Sequence, residues 1–155
     1  MYRKILLAYD GTETGRVALR QGADLAASCG AEVFLMAVVD LPTGMLMAEG
    51  AAPTGLPESQ RQDFQRILDE GVDRLKGRNL ATESRLEFGV PAERIIQTAE
   101  EIGADLIVIG HREKSPLARW WRGSIGSSVL SQAPCSILVA VLPADGDPED
   151  TENAG

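Results

Sequence analysis

The sequence predicts an α/β fold, a three-layer α/β/α sandwich on a five-stranded parallel sheet of order 3-2-1-4-5. Three observations lead there. Short aliphatic runs, nearly free of polar residues, recur along the chain; segments with helical apolar spacing separate them; and the two kinds of segment alternate. Runs that are apolar on both faces belong to a sheet covered on both faces, as parallel sheets are. Regular alternation requires crossover connections, which are right-handed.

The first run, KILLAY (4–9), stops at Asp10-Gly11. In 14–29, Val17, Ala18, Leu19, Gly22, Leu25 and Ala26 share a helical face, and Gly30 ends the segment. Thr12 and Thr14 are its candidate N-caps, because a hydroxyl there accepts from a free backbone N–H. The second strand is AEVFLMAVVD (31–40). In 58–76, Phe64, Ile67, Leu68, Gly71, Val72 and Leu75 form one stripe with the rhythm of a buried helix face. The third strand, ATESRLEFG (81–89), alternates more weakly. Pro91 opens a helix at a position where its missing N–H costs nothing, with Ile95, Ile96, Ala99 and Ile102 facing inward. ADLIVIG (104–110) and SILVAVL (136–142) are the last strands, and Ser124 can cap a helix between them that runs to about Gln132.

One connection is too long for this plan. LPTGMLMAEGAAPTGLPES (41–59) is a lid, a binding loop or a disordered segment. Its Met45, Leu46 and Met47 pack either over a ligand or against the protein itself or a partner subunit.

At 155 residues the chain is one domain with a sizeable core. Its net charge is −8, of which five negative charges lie in the terminal stretch ADGDPEDTENAG. That stretch has no large apolar residue and is expected to be disordered. An acidic body argues against non-specific nucleic-acid binding. The two cysteines, Cys29 and Cys135, sit among apolar or small residues and are expected to be buried free thiols in a reducing compartment. The first residues have too short an apolar run for a signal peptide, and no run is long enough to span a membrane, so a soluble cytoplasmic protein is expected.

In a sheet of this order ligands bind outside the carboxyl ends, at the switch point between strands one and four. Asp10 ends strand one and Gly110 ends strand four, so the two should face each other across one crevice. After Gly110 comes HREKSPLARWWRGSIGSS, where Arg112, Lys114, Arg119 and Arg122 stand against a single acid, Glu113. A basic loop leading to a helix N-terminus is a place to hold an anion. Gly123 lets backbone come close, and Ser124, Ser127 and Ser128 offer hydroxyls. Arg119 and Arg122 are read as solvated surface charges, whereas Arg112 and Lys114 are either anion contacts or solvated.

Taken together, KILLAYDGTETGRVAL, GVPAERIIQTAEEIGADLIVIG and RGSIGSSVLSQAPCSILVA resemble the universal stress protein family, over residues 2 to 142. The resemblance implies one such domain over 1–143, of the adenine-nucleotide alpha-hydrolase-like fold, followed by an acidic tail, 144–155. The nucleotide-binding branch of the family carries Gly-x2-Gly-x9-Gly-Ser/Thr. Here the frame is Gly110, position 113 and Gly123-Ser124, and only the second glycine departs, being Glu113. By this resemblance Asp10 lies by the nucleoside, with Gly11 and Thr12 beside it, and the backbone of Val38 contacts adenine. Gly110 falls near the ribose and phosphates. Gly123, Ser124 and Ile125 open the helix that faces the phosphates, with Arg112 and Lys114 as the cations. If the family's glycine has positive φ at position 113, a glutamate there costs about 1–2 kcal/mol. Its carboxylate would also repel a phosphate unless it turned to solvent or paired with Arg112 or Lys114.

Other signals are weaker. GTETG (11–15) is similar to the phosphate loop of flavodoxins, but Val17 stands where a further hydroxyl is needed, and Trp120-Trp121 fits packing better than flavin stacking. His111, the single histidine, is read as a cleft-edge residue, and Glu100-Glu101 as a polar helix face. No nucleophile–base set and no metal-ligand spacing stands out. Two readings remain. One is a cytoplasmic stress-response module, homodimeric through 136–142, that binds ATP or another adenine nucleotide and is no enzyme beyond weak ATP hydrolysis. The other is a dimeric interaction module of the same fold that binds no nucleotide, because Glu113 replaces the motif glycine.

Overall fold

The computed structural model describes residues 1–41, 56–111 and 131–142. Its elements are β1 (Lys4–Ala8), α1 (Glu13–Cys29), β2 (Glu32–Asp40), α2 (Glu58–Lys76), β3 (Thr82–Gly89), α3 (Pro91–Ile102), β4 (Leu106–Gly110) and β5 (Ser136–Ala140). Residues 131–132 are helical, where the helix expected from Ser124 should end; the rest of that helix, the segment 42–55 and the acidic tail lie outside the described residues. The sheet has the order β3-β2-β1-β4-β5, and every pairing is parallel, as the alternation of the sequence requires.

The strands are apolar throughout because each supplies both layers. Ile5 and Leu7, Val33 and Leu35, and Leu106 and Val108 pack under α1 and α2, with Val17, Leu19, Leu68 and Leu75. Leu6, Phe34, Met36, Ile107 and Ile109 point to the opposite face, where Ile95 and Ala99 of α3 cover them. At roughly 25 cal/mol per Å² of apolar surface, each fully buried Leu or Ile contributes about 1.5–3 kcal/mol. The strand β3 alternates weakly because it is an edge, and none of its residues before Gly89 is fully buried. Arg85 on this strand bonds Glu101 of α3 at 2.9 Å and Glu87 at 3.3 Å, and lies over the Phe34 ring at 5.2 Å. Charges of this kind protect an edge from pairing with another chain.

The helix boundaries follow their chemistry. Thr12 caps α1, its Oγ1 accepting from Gly15 N at 3.1 Å, and Gly30 closes it in the left-handed region. Thr14 is not a second cap: it lies inside the helix and is buried, because only the residue outside the first turn has the extended backbone a cap needs. The α2 stripe is narrower than its periodicity implies. Leu68, Gly71 and Leu75 are buried, while Phe64, Ile67 and Val72 are only partly so. Both cysteines are half-buried rather than buried, since Cys29 ends α1 at the surface and Cys135 precedes the edge strand β5. Among the described residues no helix is long and apolar enough to cross a membrane.

Candidate functional site

The carboxyl end of β1 turns sharply into α1. Asp10 Oδ1 accepts from Thr12 N at 3.0 Å and Thr12 Oγ1 at 2.6 Å, while Thr12 Oγ1 accepts from Gly15 N. One carboxylate oxygen thus organises the first turn of α1, and the side chain stays exposed to solvent. Gly11 has φ +75°, a conformation that glycine adopts without strain, and a side chain there would also crowd Ile67 of α2 at 3.2 Å.

Gly110 meets the same turn from the other side. A Cβ at Gly110 would fall 2.8 Å from Thr14 O and 3.1 Å from Gly15 N. The expected neighbours, Asp10 and Gly110, are therefore brought together through Gly15, which touches both. The space a side chain would need at Gly110 is filled by the α1 backbone, so packing requires this glycine whether or not a ligand lies beside it. His111 follows, half-buried, its N–H donating to Ala140 O at 2.8 Å.

Beside the crevice is a cavity of about 190 Å³ at the carboxyl ends of β1 and β2. Ala8, Tyr9 and Asp10 come from the end of β1, and Met36, Val38 and Asp40 from β2. Phe64 and Ile67 of α2 close one side, and Pro91 and Ile95 of α3 the other. The wall is almost entirely apolar, with the carboxylates of Asp10 and Asp40 as its charged groups. Such a lining suits a weakly polar group that carries hydrogen-bond donors. The cavity is smaller than the roughly 300–1,000 Å³ of common small-molecule sites, so it has room for part of a nucleotide.

Of the residues singled out in the sequence, Asp10 and Val38 line this cavity, while Gly11, Thr12 and Gly110 build the turn next to it. Arg112, Glu113, Lys114, Gly123, Ser124 and Ile125 lie outside the described residues, as do Met45, Leu46, Met47, Trp120 and Trp121. Sequence reading anticipated none of the other lining residues as cavity residues, among them Tyr9, Asp40, Phe64, Ile67, Pro91 and Ile95. Phe64, Ile67 and Ile95 were assigned to the core and Pro91 to a helix start, and a signal was available only in position: the residues lie at a strand's carboxyl end or on a helix half that overhangs one. Among the described residues there is no group of three or more His, Cys, Asp and Glu that could hold a metal ion.

A parallel sheet of this order, with a cavity at the carboxyl ends of β1 and β2 next to the switch point, defines an α/β protein of the doubly wound class. The Universal stress protein family model matches residues 1–140, and the chain belongs to that family. It is 31% identical over 144 residues to Universal stress protein MJ0531 of Methanocaldococcus jannaschii, covering 92% of this chain and 84% of that protein. A universal stress protein solved in complex with cAMP superposes with a TM-score of 0.67 at 20% identity, covering 90% of this chain and 97% of the other. The universal stress protein from Archaeoglobus fulgidus in complex with dAMP superposes with a TM-score of 0.65 at 23% identity, covering 90% and 98%.

Proposed function

We propose that this protein is a stress-response module that binds an adenine nucleotide, with the base in the cavity between β1 and β2. The observation that carries this reading is the cavity itself. It is apolar and lies next to the switch point, beside the turn that Asp10 and Thr12 organise and with Val38 in its wall. Relatives of the same fold bind cAMP and dAMP, which share the adenine ring. The phosphates would leave the cavity toward Gly110 and reach Arg112, Lys114 and the Gly123-Ser124-Ile125 helix start. Arg112 and Lys114 give a phosphate chain two cations to reach, so ATP is the nucleotide we favour. The protein works as a cytoplasmic regulatory domain rather than as an enzyme, and as a homodimer through β5.

A second reading has a specific basis. Glu113 puts a carboxylate into the phosphate motif, and Asp40 adds another at the cavity. A protein so furnished would act as an interaction module without nucleotide. Mass spectrometry of the natively purified protein separates the two. Co-purifying adenine nucleotide supports the first; its absence, together with no heat on titration of ATP or adenosine, supports the second.

A further inference from the structure

One carboxylate ties the roof of the cavity to its floor. Glu70 Oε1 accepts from Tyr9 Oη at 3.2 Å, from Arg16 Nε at 3.2 Å and from Arg74 Nε at 2.9 Å. Arg16 Nη2 lies 3.2 Å from the same oxygen. The donors come from three places: the end of β1, α1, and α2 itself. Tyr9 is 3% exposed, lines the cavity and directs its ring at Gly71, where a Cβ would lie 2.8 Å from Tyr9 Cδ1. Burial pushes the Tyr9 hydroxyl up, so it stays protonated and donates. Burial also pushes the Glu70 carboxyl up, but the Arg74 hydrogen bond and the Arg16 charge outweigh this and hold it below its ordinary value. Both groups are thus in the states the hydrogen bonds need at neutral pH.

The two halves of α2 do different things. Leu68, Gly71 and Leu75 anchor the second half in the core. No residue of 58–67 is buried, yet Phe64 and Ile67 from this half form one wall of the cavity. Arg61 lies over the Phe88 ring at 5.5 Å and Ile67 packs against the edge of the core, but among the described residues the fully buried anchors of α2 all lie in its second half. Glu70 sits at the junction, one turn beyond Ile67.

We propose that Glu70 is a positioning residue for the cavity: it locks α2 onto Tyr9 and Arg16 so that Phe64 and Ile67 stay closed over a flat aromatic ring. The identity of that ring rests on the nucleotide reading above, whereas the closure of α2 does not. Two variants of the full chain, Glu70→Ala and Glu70→Gln, test it by two measurements. Native-state hydrogen exchange without ligand should be about tenfold faster at residues 62–67 in Glu70→Ala, the effect of one lost charged hydrogen bond, while Ile95–Ala99 in α3 are unchanged. Glu70→Gln keeps an acceptor oxygen and should fall between wild type and Glu70→Ala. Adenosine, titrated at a temperature where every variant is fully folded, should bind about tenfold more weakly to Glu70→Ala. Unchanged exchange at 62–67, or equal acceleration in α3, overturns the proposal. Faster exchange with unchanged adenosine affinity overturns it too, leaving Glu70 as a fold contact only. Should wild type fail to bind adenosine, the nucleotide reading falls, and the exchange comparison alone decides whether Glu70 holds the roof.

Discussion

A Cβ on Gly110 would sit 2.8 Å from the carbonyl oxygen of Thr14, inside the van der Waals contact of two atoms that cannot rotate away. The end of β4 and the first turn of α1 are in backbone contact, and α1 makes that contact while Asp10 and Thr12 hold its start. The crevice is therefore built from main chain, and its shape depends on a residue with no side chain.

Gly110→Ala should push α1 off β4. Overpacking a tight site costs roughly 1–3 kcal/mol, and this clash is with backbone, so the upper part of that range is expected. Urea unfolding of the two proteins measures the difference. Equal stability would mean that α1 yields at no cost and that the glycine is there for another reason.

Asp105 should give the protein a defined acid sensitivity. Burial pushes its carboxyl up, but hydrogen bonds from the backbone N–H groups of Arg3, at 2.8 Å, and Lys4, at 3.1 Å, outweigh that and hold it below the ordinary 3.8. A carboxylate lowered in the folded state adds stability that is fully present above its unfolded value, about pH 4, and is lost as pH falls through the folded value. Asp105→Asn should be about 1 kcal/mol less stable at pH 7 and should lose less on going from pH 5 to pH 2. Parallel slopes over that range would remove Asp105 from the acid response.

Glu113→Gly should tighten ATP and leave adenosine alone. Two unit charges a few ångströms apart repel by roughly 1–4 kcal/mol between the dielectric of water and that of a protein surface. At about 1.4 kcal/mol per factor of ten, the gain for ATP is about fivefold or more. Titration calorimetry with both ligands is the check. Equal ATP affinities, or an equal gain for adenosine, would sink phosphate repulsion as the role of Glu113.

Val139→Lys should break the proposed dimer. The strand β5 pairs with β4 alone in the described sheet, and Val141 just beyond it is 62% exposed. An aliphatic edge invites pairing with a second copy across a two-fold axis, and a lysine on it resists that. Light scattering at micromolar concentration should show a dimer for wild type and a monomer for the variant. A wild-type monomer, or a variant dimer, counts against β5 as the interface.

Much of this molecule was legible without coordinates. The covered parallel sheet follows from alternating aliphatic and helical segments, because a strand apolar on both faces can only lie inside a covered sheet; five such strands favour the order 3-2-1-4-5, which the structure has. Both ends of α1 and the start of α3 were marked by Thr12, Gly30 and Pro91, whose local backbone chemistry needs no tertiary partner. Asp10 could be picked out as a site residue because it ends β1 at the switch point, whereas Val38 was reached only through the family resemblance. Tertiary structure alone decided the rest. Periodicity counts Phe64 and Ile67 with Leu68 and Leu75 as one apolar face. Whether such a residue meets the core or a cavity depends on how far the helix overhangs the sheet, which is a property of α2 and β1 together. Glu70 carries no sequence signal: it looks like any exposed acid on a helix, and it gains partners only when the fold brings Tyr9 and Arg16 to it from 61 and 54 residues away. Gly110 is the same case reversed. The sequence marks a glycine that belongs to a motif, but only packing reveals that the backbone of α1 occupies the place of its side chain.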